Sequence, residues 1–335
     1  MQCRLSKMQA GERTKMKTFR ILAAGLAGLA FAGLAHAAGG SKHPHGPEAG
    51  WPFEGVTGQY DKASVQRGYQ VYKQVCSSCH GMKLLSYRNL GEPGGPFYDP
   101  AYPNPNDNPF VKALAAENEV MNATPNDAGE FEFRPAMPAD RFRSPFPNEA
   151  AARAANGGAL PPDLSVMVKA RHYGADYIYS LMTGYPDFSL YEDRIIEENG
   201  ETIYQTVIDM AKFEKLGEYK PEHGPAHLIQ PAGQYYNPYM AGDTTPNFLG
   251  DPRHRPPGGF LAMGPQLPDG RVEYTDGTEA TTSQMAYDVA QFLAWAAEPK
   301  MEARKRTGLA TMAFLLILTT LLWFSYKQIW RKVEH

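Results

Sequence analysis

The chain has 335 residues, 33 of them basic and 36 acidic, for a formal net charge of −3. A charge so near balance gives no electrostatic basis for nucleic-acid binding, and the length suffices for one large domain or two ordinary ones. With 32 glycines and 28 prolines, the body reads as loop-rich rather than as a regular bundle or barrel.

A basic stretch (Arg4, Lys7, Arg13, Lys15, Lys17, Arg20) precedes the apolar run Ile21 to Ala35, and Ala35-His36-Ala37 places small residues where a signal peptidase reads them. Cleavage after Ala37 is expected, with Met16 as an alternative start. Residues 1–37 are then a signal peptide, and removal takes away Cys3, leaving Cys76 and Cys79 in an exported chain. From Ala38 to about Tyr60 the sequence reads as an extended arm, in which His43 and His45 sit on a solvated terminus rather than at a metal. Asp61 is a plausible N-cap, and Val65, Gly68, Tyr69, Tyr72 and Cys76 recur at helical spacing behind it.

Gly91 to Pro109 is loop. Short helices are expected at about Phe110 to Val120 and Asn148 to Ala155. Pro161-Pro162-Asp163 reads as the opening of another helix, and Ala175 to Thr183 as one more. Asp187 to Ile229 has the character of a charged surface insertion, with a helical patch near Ile203 to Leu216. Ser283 to Ala297 is a late helix with Thr281 and Gln284 at capping-box spacing. Gly308 to Tyr326 is almost entirely apolar and long enough to span a hydrocarbon core of about 30 Å. Trp323, Tyr326 and Trp330 suit a membrane interface at one end, and basic residues flank both ends. The signal peptide would put the body outside and the tail inside.

Cys76-Ser77-Ser78-Cys79-His80 has the spacing of a c-type haem attachment site. The two thiols can reach the two vinyl groups and form thioethers, and His80 then faces the iron. A zinc site would need a second Cys/His pair, and a thioredoxin-like pair would need a preceding strand; the sequence offers neither. One motif means one covalent haem c. The second axial ligand sets the chemistry, since an open position would allow small-molecule reactions while a methionine raises the potential. Met285, Met312, Met167 and Met182 have core or membrane settings. Met240 and Met263 lie in late loops, and Met263 is favoured because Gly258-Gly259 allow close approach and Gly264-Pro265 stiffen the chain just beyond it.

The ordered set of segments resembles the cytochrome c1 family, the haem subunits of quinol:cytochrome c oxidoreductase (the cytochrome bc1 complex). The resemblance is carried by the haem motif with Tyr87-Arg88, by Phe131 to Pro135, Glu149 to Leu164, Lys169 to Tyr185 and Tyr235 to Tyr239, and by Asp276 to Pro299 leading into the anchor. It implies a mainly α, c-type cytochrome fold with long loops and insertions, plus one C-terminal transmembrane helix. The expected division is a periplasmic haem body over residues 38–300 and an anchor with a short cytoplasmic tail over 301–335, in a bacterial inner membrane. The resemblance makes His80 and Met263 the iron ligands, Arg171 a propionate partner with Tyr177 nearby, and Asn156 and Pro162 pocket residues. It implies no acid–base catalyst. The implied partners are cytochrome b, a Rieske iron–sulfur protein and a soluble or membrane-tethered cytochrome c, within a dimeric assembly. Glu117, Glu119, Asp127 and Glu130 are candidates for a face that docks a basic cytochrome c. Two stretches, Asp187 to Gln234 and Asp243 to Gly259, are longer than in compact members, and no cysteine remains to brace the distal loop with a disulfide.

Overall fold

Asp61 starts the first helix as its composition predicts. In the computed structural model, which describes residues 40–198, 201–214 and 226–332, its carboxylate accepts the Ala63 and Ser64 amides ahead of α1 (Lys62–Gln74). Val65, Tyr69, Val71 and Tyr72 are buried on one stripe of α1, each such side chain contributing about 1.5–3 kcal/mol on leaving water. The chain then continues through a 3-10 turn at Cys76–Ser78. Short helices come next at α2 (Pro109–Ala116), α3 (Glu149–Ala155), α4 (Met167–Ala170) and α5 (Gly174–Thr183). The long helix α6 (Thr282–Ala297) opens with the Gln284 amide donating to Thr281 Oγ1 at 3.1 Å.

The core sits where α1 crosses α6. Gly68 is required there, because a Cβ at that position would lie 2.0 Å from the Asp288 carbonyl oxygen. The fully buried Asp288 side chain accepts from Arg67 Nε at 2.9 Å and from Ser64 Oγ at 2.6 Å, while Gln291 donates to Ser64 Oγ at 2.8 Å. Phe292 and Trp295 fill the space around this polar seam.

Several expectations are corrected. The helix from Phe110 stops at Ala116, and Glu119–Met121 is instead β1, paired antiparallel with β2 (Phe133–Pro135). The Pro161-Pro162-Asp163 segment does not open a helix; Asp163 spends its carboxylate on the Ser165 and Lys83 amides, and α4 starts only at Met167. The arm before Asp61 is pinned rather than solvated: the Lys42 amide donates to the Pro238 carbonyl, His45 exchanges hydrogen bonds with Ser180, and Trp51 is buried and stacked on Tyr287.

The 187–229 stretch is not helical over its described part. β3 (Tyr191–Glu198) pairs with β4 (Glu201–Asp209), which pairs with β5 (His227–Ile229), and β5 with β7 (Phe248–Leu249). Thr202, Ile203, Thr206, Val207 and Ile208 are β-branched, a composition that suits a pleated strand. A 3-10 turn lies beyond β4 at Met210–Lys212, and the Leu216 end of the expected helical patch lies outside the described residues. Nor is the insertion a mere surface flap, since Ile208, Met210, Phe213, Ala226, Leu228, Tyr236 and Phe248 form a second small core. A separate pair, β6 (Tyr235–Asn237) and β8 (Gly259–Leu261), brings the two late methionine loops together.

The last helix, α7 (Met301–Trp330), is longer than the apolar run within it and is of a length and composition that can cross a membrane. Its side chains from Gly308 onward are exposed. The expected signal peptide lies outside the described residues.

Candidate haem site

A cavity of about 430 Å³ opens beside the end of α1, within the range of cofactor pockets. Every residue that the sequence assigns to the haem lines it: Cys76, Cys79, His80, Asn156, Pro162, Arg171, Tyr177 and Met263. Met240 lines it as well. The walls are largely apolar, with Leu164, Ile178, Leu181, Val289 and Leu293 among them.

The motif is presented by a tight turn in which the Cys79 and His80 amides both donate to the Cys76 carbonyl, at 3.1 and 2.9 Å. His80 Nδ1 lies 2.8 Å from the Pro162 carbonyl oxygen. A carbonyl can only accept, so Nδ1 carries the proton and Nε2 keeps its lone pair for a metal. Burial also lowers the imidazole pKa, against the opposing effects of that hydrogen bond and of Asp163, which keeps the ring neutral. The Cys76 thiol is pushed up to about 12, first by burial and then by Cys79, as expected where a sulfur faces an apolar cavity.

On the other side, the late loops are shaped by close backbone approach. Gly258 has φ +108°, and a Cβ there would lie 2.4 Å from the Asn237 carbonyl oxygen; a Cβ on Gly259 would lie 2.8 Å from Gly242 Cα. These contacts seat β8 on the turn after β6 and aim the residues beyond it at the cavity. Tyr185, which is buried, donates to the Met263 carbonyl at 2.7 Å. Tyr177 O–H points at Met240 Sδ, 3.9 Å away. Arg171 is exposed at the rim and donates to the Ala170 carbonyl.

Two contributions were not foreseen from the sequence. Pro162, expected as a pocket residue, offers its carbonyl to His80 Nδ1. Tyr185 braces the backbone of Met263, although its place in the Lys169 to Tyr185 segment was a cue to look there. The four acidic residues considered for docking are all exposed in or just before the β1–β2 hairpin, and Glu117 is paired with Lys73.

The donor set fits a haem: two thiols unpaired with one another, a neutral imidazole with a free Nε2, two thioethers on late loops, and an apolar wall. A mainly helical body with this pocket and a C-terminal membrane helix defines a membrane-anchored c-type cytochrome. The Cytochrome C1 family matches residues 51–333, and the chain belongs to that family. Members are haem proteins with a covalently bound c-type haem. The chain is 38% identical over 322 residues to the cytochrome b/c1 of Bradyrhizobium diazoefficiens, covering 96% of this chain and 40% of that relative's length. It is 39% identical over 317 residues to the cytochrome c1 of Rhodospirillum rubrum, covering 94% and 97%. It is 40% identical over 307 residues to a mitochondrial cytochrome c1 haem protein of Arabidopsis thaliana, covering 91% and 79%.

Proposed function

We propose that this chain is the haem relay of a cytochrome bc1 complex, taking one electron from a Rieske iron–sulfur protein and passing it to a soluble or membrane-tethered cytochrome c. One observation carries the reading: the Cys76–His80 turn and the Met263 loop line the same apolar cavity. Haem c, when bound, supplies a one-electron Fe(III)/Fe(II) couple. Cys76 and Cys79 would hold it by thioethers, and His80 Nε2 and Met263 Sδ would ligate its iron. The soft sulfur favours Fe(II) and so a high potential. Arg171 at the rim would balance a propionate charge, with Tyr177 beside it. Asn156 and the Pro162 ring would close the pocket wall. No residue need move a proton.

In this reading residues 1–37 are a cleaved signal peptide, 38–300 the periplasmic body, and 301–335 the anchor and cytoplasmic tail in a bacterial inner membrane. Anchoring keeps the relay beside cytochrome b and the Rieske protein in a dimeric assembly, which shortens the search for the donor. Glu119, Asp127 and Glu130 would contribute to a docking face for a basic cytochrome c.

The test is a redox titration of the detergent-purified assembly with its subunits identified. Cytochrome b and a Rieske protein should co-purify, and the c-type haem should titrate as one high-potential, low-spin centre. Co-purification with terminal oxidase subunits instead would overturn the assignment.

A further inference from the structure

The joint between body and anchor is built from many bonds. Only Glu298, Pro299 and Lys300 separate α6 from α7. Tyr60 O–H donates to the Ala294 carbonyl at 3.0 Å, and its amide donates to the Glu302 carboxylate at 2.9 Å. Glu298 pairs with Arg304 at 2.5 Å and with Lys169 at 3.3 Å. Met301, the first residue of α7, is buried.

Lys305 completes the joint and sets a depth. Its ammonium group donates to the Phe53 carbonyl at 2.6 Å and to the Gly58 carbonyl at 3.2 Å, clipping the loop between them at both ends. The charge-free, almost entirely apolar run is under way three residues later, at Gly308, which is about 4.5 Å along a helix rising about 1.5 Å per residue. The loop is therefore held about one helical turn from the start of the membrane-spanning segment. At its tip Val56 is 66% exposed. Lys300 and Arg306, on either side of the clip in sequence, are exposed, and their side chains make no hydrogen bond or ion pair among the described residues. Glu54 is exposed too, and a carboxylate there suits the polar headgroup layer but not the hydrocarbon.

We propose that the 53–58 loop is a second membrane contact, resting in the headgroup layer with Val56 directed at the acyl chains and Lys300 and Arg306 drawn to the phosphates of anionic phospholipids. A single helix leaves a body free to rock about its exit point; a second contact beside it removes that freedom. The cavity wall residues Val289 and Leu293 belong to α6, which runs into this joint, so the orientation of the haem pocket over the bilayer is set by the same contact. The inference rests on the membrane anchor and is independent of which proteins donate and accept the electron.

The experiment is a nitroxide label on a Val56→Cys variant of the full-length, haem-loaded chain, reconstituted in nanodiscs of phosphatidylcholine with phosphatidylglycerol. Phe188→Cys, 65% exposed ahead of the sheet module, is the reference site, and the unsubstituted chain is the labelling blank. Collisions with oxygen, which concentrates in lipid, are compared with collisions with a water-soluble nickel chelate. The oxygen-to-nickel ratio should be several-fold higher at 56 than at 188, with an unchanged haem spectrum in both variants. Equal ratios would overturn the proposal, and so would a label at 56 shielded from both agents, which would mean that protein rather than lipid covers the loop.

Discussion

Tyr185 donates its phenolic hydrogen to the backbone carbonyl of Met263 at 2.7 Å, so the loop that offers the methionine is fastened by its main chain to the segment after α5. Among the described residues the cysteines are Cys76 and Cys79, both unpaired, and this bond and the glycine contacts of β8 brace the loop. Tyr185→Phe removes the donor and keeps the ring; the loss of such a bond costs about 0.5–1.5 kcal/mol. The expected result is a sulfur-to-iron charge-transfer band that disappears at lower temperature or denaturant than in the unsubstituted protein, read in a spectral melt with haem still attached.

The two late-loop methionines that line the cavity, Met240 and Met263, make separable predictions. Met263→Leu should lower the midpoint potential substantially and open the iron to carbon monoxide, while the thioethers to Cys76 and Cys79 keep haem on the chain through denaturing electrophoresis. Met240→Leu should leave the potential and low-spin state nearly unchanged. The reverse pattern would transfer the ligand role to Met240.

Asp288 is a fully buried carboxylate whose charge is met by Arg67. Arg67→Ala strands it in the α1–α6 seam, and breaking a buried pair costs about 3–5 kcal/mol. The change should appear as a large drop in the denaturant midpoint. Exchange of the exposed pair partner Glu117 for alanine should shift the midpoint little, as exposed pairs contribute about 0–1 kcal/mol.

Asp276 gives a pH dependence. Its carboxyl sits at about 2, below the ordinary 3.8, because the Thr278 amide and then the Arg67 guanidinium favour the anion. A depressed folded-state value means that the stabilisation is present above about 4 and is lost as pH falls through the range from about 4 to 2. Asp276→Asn should flatten the acid limb of the stability curve in that window without altering stability's slope near neutrality. An unchanged acid limb would show that the contact does not form in solution.

Much of the site was legible because its chemistry is local in sequence. Cys76, Cys79 and His80 are spaced by the turn that presents them, and the Gly258-Gly259 pair before Met263 announces a close approach that the backbone does make. The helices with strong start signals, at Asp61 and Thr281, fell within a residue of expectation. The illegible parts depended on partners far along the chain. The residues after Ile203 read as helical until the pairing of β4 with β3 and β5 supplies a use for their β-branched side chains. Pro161-Pro162 resembles a helix start, yet the Pro162 carbonyl is claimed by His80 and Asp163 by Lys83, and neither demand is visible in the local sequence. The arm before Asp61 looks solvated by composition, but Trp51 finds Tyr287 more than two hundred residues away.

The crossing of α1 on α6 also has a consequence in time. Ser64 and Arg67 meet Asp288 across 224 and 221 residues of chain, so the apolar stripe of α1 has no permanent cover until nearly the whole body has emerged from synthesis. Closing so long a loop is slow compared with forming a helix turn. During that interval Cys76 and Cys79 stay reachable from solvent, and the order of residues along the chain itself leaves a window for covalent attachment before the pocket shuts.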